Sequence, residues 1–283
     1  MGIMLFMASR FVAGETQESA VEATAALNGA GVHVTLDILG EDVDSEAGAV
    51  EAADGYLRLL DGIAAGGVDA NVSLKLTMMG LGISDGFCRG NVERILAKAA
   101  EHGNFVRVDM EGSAHTQRTL DLFYDMHRAH PKNVGIVLQS YLYRTENDIE
   151  TAIAQGCRVR LCKGAYKEPA EVAFQDKDDV NAAYQRGMIR LLDAGSYPAI
   201  ATHDEKMIQA AREHIMEKSI PPGRYEFQML YGIRRDLQHS LASDGHNVRV
   251  YVPFGTAWFP YFYRRMRERK ENAFFVLKHM FKG

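Results

Sequence analysis

Short apolar or alternating runs recur along the chain, at residues 32–39, 71–78, 105–110, 134–139, 158–163, 198–203, 225–230 and 248–252. Each has the length and pattern of a strand. Between them, apolar residues fall at helical spacing over 47–65, 91–102, 116–129, 145–155, 180–194, 205–218 and 233–242, and another such stretch follows at 260–269. Ahead of the first strand, residues 15–28 are Ala-rich and read as a helix closed by Gly29 and Gly31. Strand and helix thus alternate at a spacing of roughly 30 residues, the length that consecutive βα units require. Eight such units predict a closed (βα)8 barrel of the TIM type, with an N-terminal helix and a C-terminal helix. A doubly wound sheet predicts a GxGxxG turn after an early strand, and no such turn occurs.

With no Pro- or Gly-rich linker, the expected organisation is one domain over 1–283, made of a helical segment at 1–31, barrel strands within 32–255 and a helical segment at 256–283. The 283 residues are 47% hydrophobic, enough for a large core. The net charge of −5 argues against a nucleic-acid partner. The cysteines Cys88, Cys157 and Cys162 form no CxxC, which points to neither a disulfide framework nor a zinc knuckle and favours a reducing cytoplasm. The apolar run 1–7 is too short to span a bilayer and lacks the preceding basic residues of an export signal, so it reads as the stub of a helix. Residues 274–281 (FFVLKHMF) read as a docked terminal helix, with contact to a membrane surface as the alternative.

In such barrels the chemistry lies at the C-terminal strand ends. There the runs finish on Glu41, Lys75, Asp109 with Met110 and Glu111, Gln139, Arg160 with Lys163 and Gly164, Thr202-His203-Asp204, Leu230-Tyr231 and Tyr251. That convergence of polar groups predicts a site built from many strands. Segment 158–169 (RVRLCKGAYKEP) is its centre: a strand that ends in Arg160, Lys163 and a close-approach glycine suits the floor of an anion site, and a surface strand with solvated basic residues is the competing reading. Single residues keep alternatives. Lys75, flanked by Leu74 and Leu76, is a pocket or a surface lysine, and Asp109 is functional or caps a loop. Asp204 reads as the N-cap of the next helix, His203 lacks the companions of a zinc ligand, and Cys162 reads as inert core on the apolar side of its strand. Arg264-Arg265, after the aromatic cluster 258–263, suits a bidentate clamp on a small carboxylate, against a solvated basic helix.

The motifs RFVAGE (10–15), LQSYL (138–142), RLCKGAY (160–166), ATHD (201–204), EFQMLYG (226–232) and YFYRR (261–265) together resemble the proline dehydrogenase family, most nearly its bacterial monofunctional members, from about Arg10 to the C-terminus. The resemblance implies a distorted barrel, its C-terminal helix covering the site, with non-covalent FAD that oxidises L-proline to Δ1-pyrroline-5-carboxylate and passes electrons to a membrane quinone. It implies Arg160 near flavin N5, Gln139 and the backbone around Met110 at the isoalloxazine edge, and Lys163, Gly164, Ala165, Thr202 and His203 on the ribityl and diphosphate. Lys75, Arg264 and Arg265 would clamp the substrate carboxylate, with Asp109, Tyr251, Tyr261 and Leu230 shaping the proline pocket and Glu41 pairing with Arg264 on closure. Arg160 and Asp109 are the catalytic candidates. Cys162 stands where the family has Val or Met, Lys167 where long bifunctional members have Trp near the adenine, and the chain begins close to Arg10. It has no room for an aldehyde dehydrogenase domain, so the expected product passes to a separate pyrroline-5-carboxylate dehydrogenase. The expected location is the cytoplasm, peripheral to the inner face of its membrane.

Two rivals come from other classes. One is a Schiff-base aldolase with Lys75 or Lys163 as nucleophile, which needs a lysine able to lose its proton. The other is a membrane-associated binding protein that uses the C-terminal segment.

Overall fold

The eight runs become eight strands in the order in which they occur. A computed structural model describes residues 9–268, with side chains to 263. Its elements are α1 (Gln17–Gly29), β1 (His33–Ile38), α2 (Glu46–Gly66), β2 (Ala70–Leu74), α3 (Asp85–Glu101), β3 (Val106–Val108), α4 (Ser113–Ala129), β4 (Val134–Gln139), α5 (Thr145–Ala154), β5 (Arg158–Cys162), α6 (Lys177–Ala194), β6 (Ala199–Ala201), α7 (Glu205–Glu217), β7 (Glu226–Leu230), α8 (Arg235–Ser243), β8 (Val248–Phe254) and α9 (Trp258–Glu268). Each strand pairs in parallel with the next, and β8 closes on β1, with Thr35 opposite Tyr251 and Asp37 opposite Pro253. The fold is therefore a (βα)8 barrel.

Boundaries differ where local chemistry overrides the pattern. β2 stops at Leu74 rather than continuing to 78, because the chain turns at Lys75 and the Met79 amide donates back to the Leu76 carbonyl at 3.0 Å. α3 begins at Asp85, well before the expected 91, capped by the Ser84 hydroxyl, which accepts from the Phe87 amide at 3.2 Å. Gly86 and Gly90 weaken helix propensity there and hide that first part from a reading of the pattern.

The strands carry two different faces. Leu36, Leu74, Val108, Ile136, Leu161 and Val250 are fully buried between barrel and helices and make the main core. Their alternate neighbours are buried as well, yet polar: Asp37, Ser73, Arg107, Arg160, Glu226 and Arg249 are all at most 8% exposed. They point into the barrel, since Arg160 on β5 donates to Ser73 on β2 at 3.2 Å and to Gln228 on β7 at 2.5 Å. The alternating basic residues of β5 are thus interior groups and not a solvated surface strand. Space for them is made locally. A Cβ at Gly135 would stand 2.6 Å from both the Arg107 guanidinium and the Arg158 carbonyl. Arg107 fills that gap and donates to the Ile136 and Arg158 carbonyls at 3.2 and 2.6 Å.

A smaller apolar cluster joins residues 11–12 to residues 258–262 over the barrel. Phe11 and Val12 pack with Leu39, Ile233, Tyr261 and Phe262, and the Trp258 indole donates to Glu15 at 3.0 Å. The carbonyl of Arg10 comes so close to Gly232 that any Cβ there would collide with it. Among the described residues no helix is long and apolar enough to cross a membrane. The runs 1–7 and 274–281 lie outside them. Gly135→Ala is expected to lower stability by about 1–3 kcal/mol through overpacking, as read by urea unfolding, because neither the carbonyl nor the buried guanidinium can yield freely.

Candidate functional site

At the C-terminal ends of the strands a cleft of ≈ 910 Å³ runs from the barrel centre to the rim. Its floor is an ionic lattice. Asp109, just past β3, accepts from Ser73 at 2.6 Å and from Arg160 at 2.8 Å on one oxygen, and from the Tyr251 hydroxyl at 2.9 Å on the other. It ties four strand ends together and caps no loop; the N-cap position of α4 is Gly112. The Arg160 guanidinium also lies 5.2 Å from the Tyr251 ring centroid, a cation–π contact. Burial and the charges of Asp109 and Asp37 push the Tyr251 phenol well above its ordinary range, so it stays a donor.

Beside this lattice, Lys75 approaches both oxygens of Asp37 at 3.3 Å, with both side chains buried. The pair is lopsided. Burial lifts the Asp37 carboxyl to about 6 despite Lys75, and Asp109 adds to the rise. Burial lowers Lys75, but the combined pull of Asp37, Asp109 and Glu41 outweighs it and holds the ammonium above its ordinary value. One ammonium answers to three acids, whereas Asp37 has one cation close by. Asp37 is anchored from behind by Tyr56 of α2, whose hydroxyl donates to the Ser73 carbonyl at 2.7 Å and lies 3.4 Å from the carboxylate.

The wall is stitched loop to loop. Thr77 donates its hydroxyl to Glu111 at 2.6 Å and its amide at 3.1 Å. Gln139 donates to the Met110 carbonyl at 2.8 Å, which leaves its own Oε1 buried without a donor among the described residues. Beyond β5 the pairing with β4 continues, the Tyr141 amide reaching the Lys163 carbonyl at 2.9 Å. Gly164 follows at φ +128°, and a Cβ there would enter the Tyr141 ring. The close approach read from the sequence at this glycine is therefore made by a tyrosine ring. Lys163 is fixed by Asn181 at 2.5 Å and Asp204 at 2.6 Å. Asp204 also caps α7, accepting from the Lys206 amide at 3.0 Å. His203 accepts the Leu230 amide on Nε2 at 2.9 Å, which puts the proton of the neutral ring on Nδ1.

Every expected site residue whose side chain is described lines this one cleft: Glu41, Lys75, Asp109, Met110, Gln139, Arg160, Lys163, Gly164, Ala165, Thr202, His203, Leu230, Tyr251 and Tyr261. Arg264 and Arg265 lie on α9, whose Tyr261 reaches the cleft, but their side chains are outside the described residues. One assignment is corrected. Cys162 shares the inward register of Arg158 and Arg160, is partly exposed and lines the cleft, so it is not inert core on the apolar side. Sequence reasoning missed Asp37, Gln228 and Arg234, which also line the cleft, as does Tyr166 beside Gly164. Two of them were signalled: Asp37 and Gln228 interrupt apolar strands at the period of Lys75 and Arg160.

As chemistry, the arrangement offers a fixed arginine and an ammonium over carboxylates that neutralise them, in a cleft of ≈ 910 Å³. It does not suit the aldolase rival. Lys75 is held charged, and Lys163 is ion-paired.

Comparisons with known proteins agree. A family model described as proline dehydrogenase matches residues 20–278. Proline dehydrogenase of Deinococcus radiodurans is 44% identical over 98% of this chain and 91% of its own length, and proline dehydrogenase 1 of Bacillus subtilis (strain 168) is 42% identical over 97% and 91%. The bifunctional protein PutA of Escherichia coli is 25% identical over 96% of this chain but only 24% of its own length. In structure, proline utilization A from Bdellovibrio bacteriovorus, inactivated by N-propargylglycine, superposes with a TM-score of 0.86 over 93% of this chain and 32% of that one, at 25% identity. The chain belongs to the proline dehydrogenase family.

Proposed function

We propose that the chain oxidises L-proline to Δ1-pyrroline-5-carboxylate with non-covalent FAD as the first electron acceptor, and that a membrane quinone takes the electrons onward. The observation that carries this reading is the single cleft, in which a lysine and a buried arginine stand at the barrel centre and basic groups line the rim. The residues present fit a flavin. The Gln139 Oε1 lacks a donor among the described residues, as a contact to a ring N–H requires, and the loop from Lys163 to Ala165 with Thr202 and His203 borders the outer cleft where a ribityl and diphosphate would lie. Bound there, FAD would accept the hydride from the substrate carbon next to the ring nitrogen.

The chain's own residues do the holding. Lys75, with Arg264 and Arg265 from α9, would grip the carboxylate, and Glu41 would pair with Arg264 as the site closes. Tyr251, Tyr261 and Leu230 would press on the apolar ring of the substrate. Arg160 is held by Asp109 and Gln228 and needs no reorientation to stabilise negative charge that develops beside it. Asp109 already has three hydrogen-bond donors, so it positions Arg160 and Tyr251 and is not the base that frees the proline nitrogen. The product would leave for a separate pyrroline-5-carboxylate dehydrogenase, and a peripheral membrane contact would bring the quinone.

The purified protein is expected to show a flavin absorption band that L-proline bleaches under anaerobic conditions; a colourless protein, inactive after incubation with FAD, would sink the reading. Arg264→Met is expected to raise the KM for proline about 10- to 100-fold at unchanged flavin content, the loss of one charged hydrogen bond, and an unchanged KM would remove Arg264 from the clamp. A carboxylate competitor without an amine is expected to bind more tightly as the pH falls through about 6, where Asp37 becomes neutral and stops sharing the Lys75 charge. Competitor titrations across that range should show the step in the parent enzyme and none in Asp37→Asn.

A further inference from the structure

The opposite end of the barrel holds a second polar cavity, of ≈ 340 Å³, that the reaction above does not use. In these barrels that end is ordinarily a stability face. Here the interior layer beneath the catalytic lattice carries Arg107, Arg158 and Arg249, and Glu226 is the one carboxylate bonded within it among the described residues. Asp69 stands at the cavity wall but is taken by His33 at 2.6 Å, and His102, also on the wall, pairs with Asp61 at 2.8 Å. The layer above is balanced, Lys75 and Arg160 against Asp37 and Asp109. The lower one has cations to spare.

Arg158 is the residue that shows what the surplus is for. Its guanidinium lies over the rings of both Phe105 and Tyr197, with its centre 4.2 and 4.5 Å from the ring centroids. No acceptor among the described residues takes a hydrogen bond from it, and its Nε is buried. Arg107 next to it is 1% exposed and likewise has a buried Nε without an acceptor. Arg249 differs: Glu226 accepts from its Nε at 3.0 Å and the Val34 carbonyl from its Nη1 at 2.7 Å. Burial and the neighbouring Arg249 disfavour the charge on Arg158, and Glu226 and Tyr197 only partly offset that. An arginine that has been desolvated and stacked but given no acceptor is preorganised for an external one, since its fork matches two oxygens of a carboxylate or phosphate. Asn71, Asn104 and Arg249 border the same space.

We propose that this cavity is a binding site for a small oxyanion, a carboxylate or a phosphate, held bidentately by Arg158 with Arg249 alongside, distinct from the catalytic cleft. Binding there joins β5 and β8 at the barrel's N-terminal end and stabilises the folded state by mass action. The test uses the holoenzyme in a buffer free of phosphate and carboxylates, titrated at constant ionic strength with sodium phosphate in one arm and sodium succinate in the other, while the unfolding temperature is followed. A saturable rise with either anion is expected, and the stronger arm names the chemical source. Half-saturation should move up about tenfold or more in Arg158→Met, the loss of a charged, two-point contact. Arg158→Lys, which keeps charge and stem but not the fork, should weaken binding as well and serves if the methionine variant fails to fold. No saturable rise with either anion, or equal half-saturation in parent and lysine variant, overturns the proposal.

Discussion

The contact between Arg160 and Asp109 is the one on which the barrel's inside depends. A carboxylate and a guanidinium taken from water cost several kcal/mol each unless every remaining donor and lone pair is used. Much of that is met here: Asp109 collects Ser73, Arg160 and Tyr251, and Arg160 gives its Nη1 to Ser73 as well as Asp109 and its Nε to Gln228. The result spans β2, β3, β5, β7 and β8 with directional bonds where other barrels of this kind pack branched apolar side chains in layers. The apolar core has moved outward, between strands and helices, and the interior is left to charge.

That division explains what the catalytic end can do. Groups aimed at a developing charge contribute most when they need not reorganise, and lattice members are held from several sides before a substrate arrives. Lys75 stays charged because three acids surround it, and Asp37 is held close to titration because burial opposes its charge. The loops add the rest: the Thr77, Glu111 and Gln139 chain fixes the wall, and α9 rests on the N-terminal segment through Phe11 and Phe262.

Much of this was legible in the sequence. The (βα)8 order followed from the spacing of apolar runs, and the strand ends gave most of the cleft because a parallel barrel brings them to one face. What pattern alone could not decide was which way the polar half of each strand points. Alternation of Arg158 and Arg160 with Val159 and Leu161 looks the same for a strand half in water and for one with a charged barrel inside; only closure of the sheet separates the two. For the same reason Asp37 is passed over; Cys162, two residues beyond Arg160, shares the arginines' face by the alternation itself, against its reading as apolar core. Gly86 and Gly90 hid the start of α3, since propensity is local and the Ser84 cap outweighs it.

An ionic interior also constrains how such a chain can change over time. On the outer face of the strands one aliphatic residue can replace another, and the helices adjust. Inside, exchanging one member of the lattice alone is costly: an arginine lost strands a carboxylate, and a glycine such as Gly135 that gains a methyl crowds a guanidinium. Descendants of this sequence should therefore drift freely on one side of each strand and, on the other, change in concert or not at all.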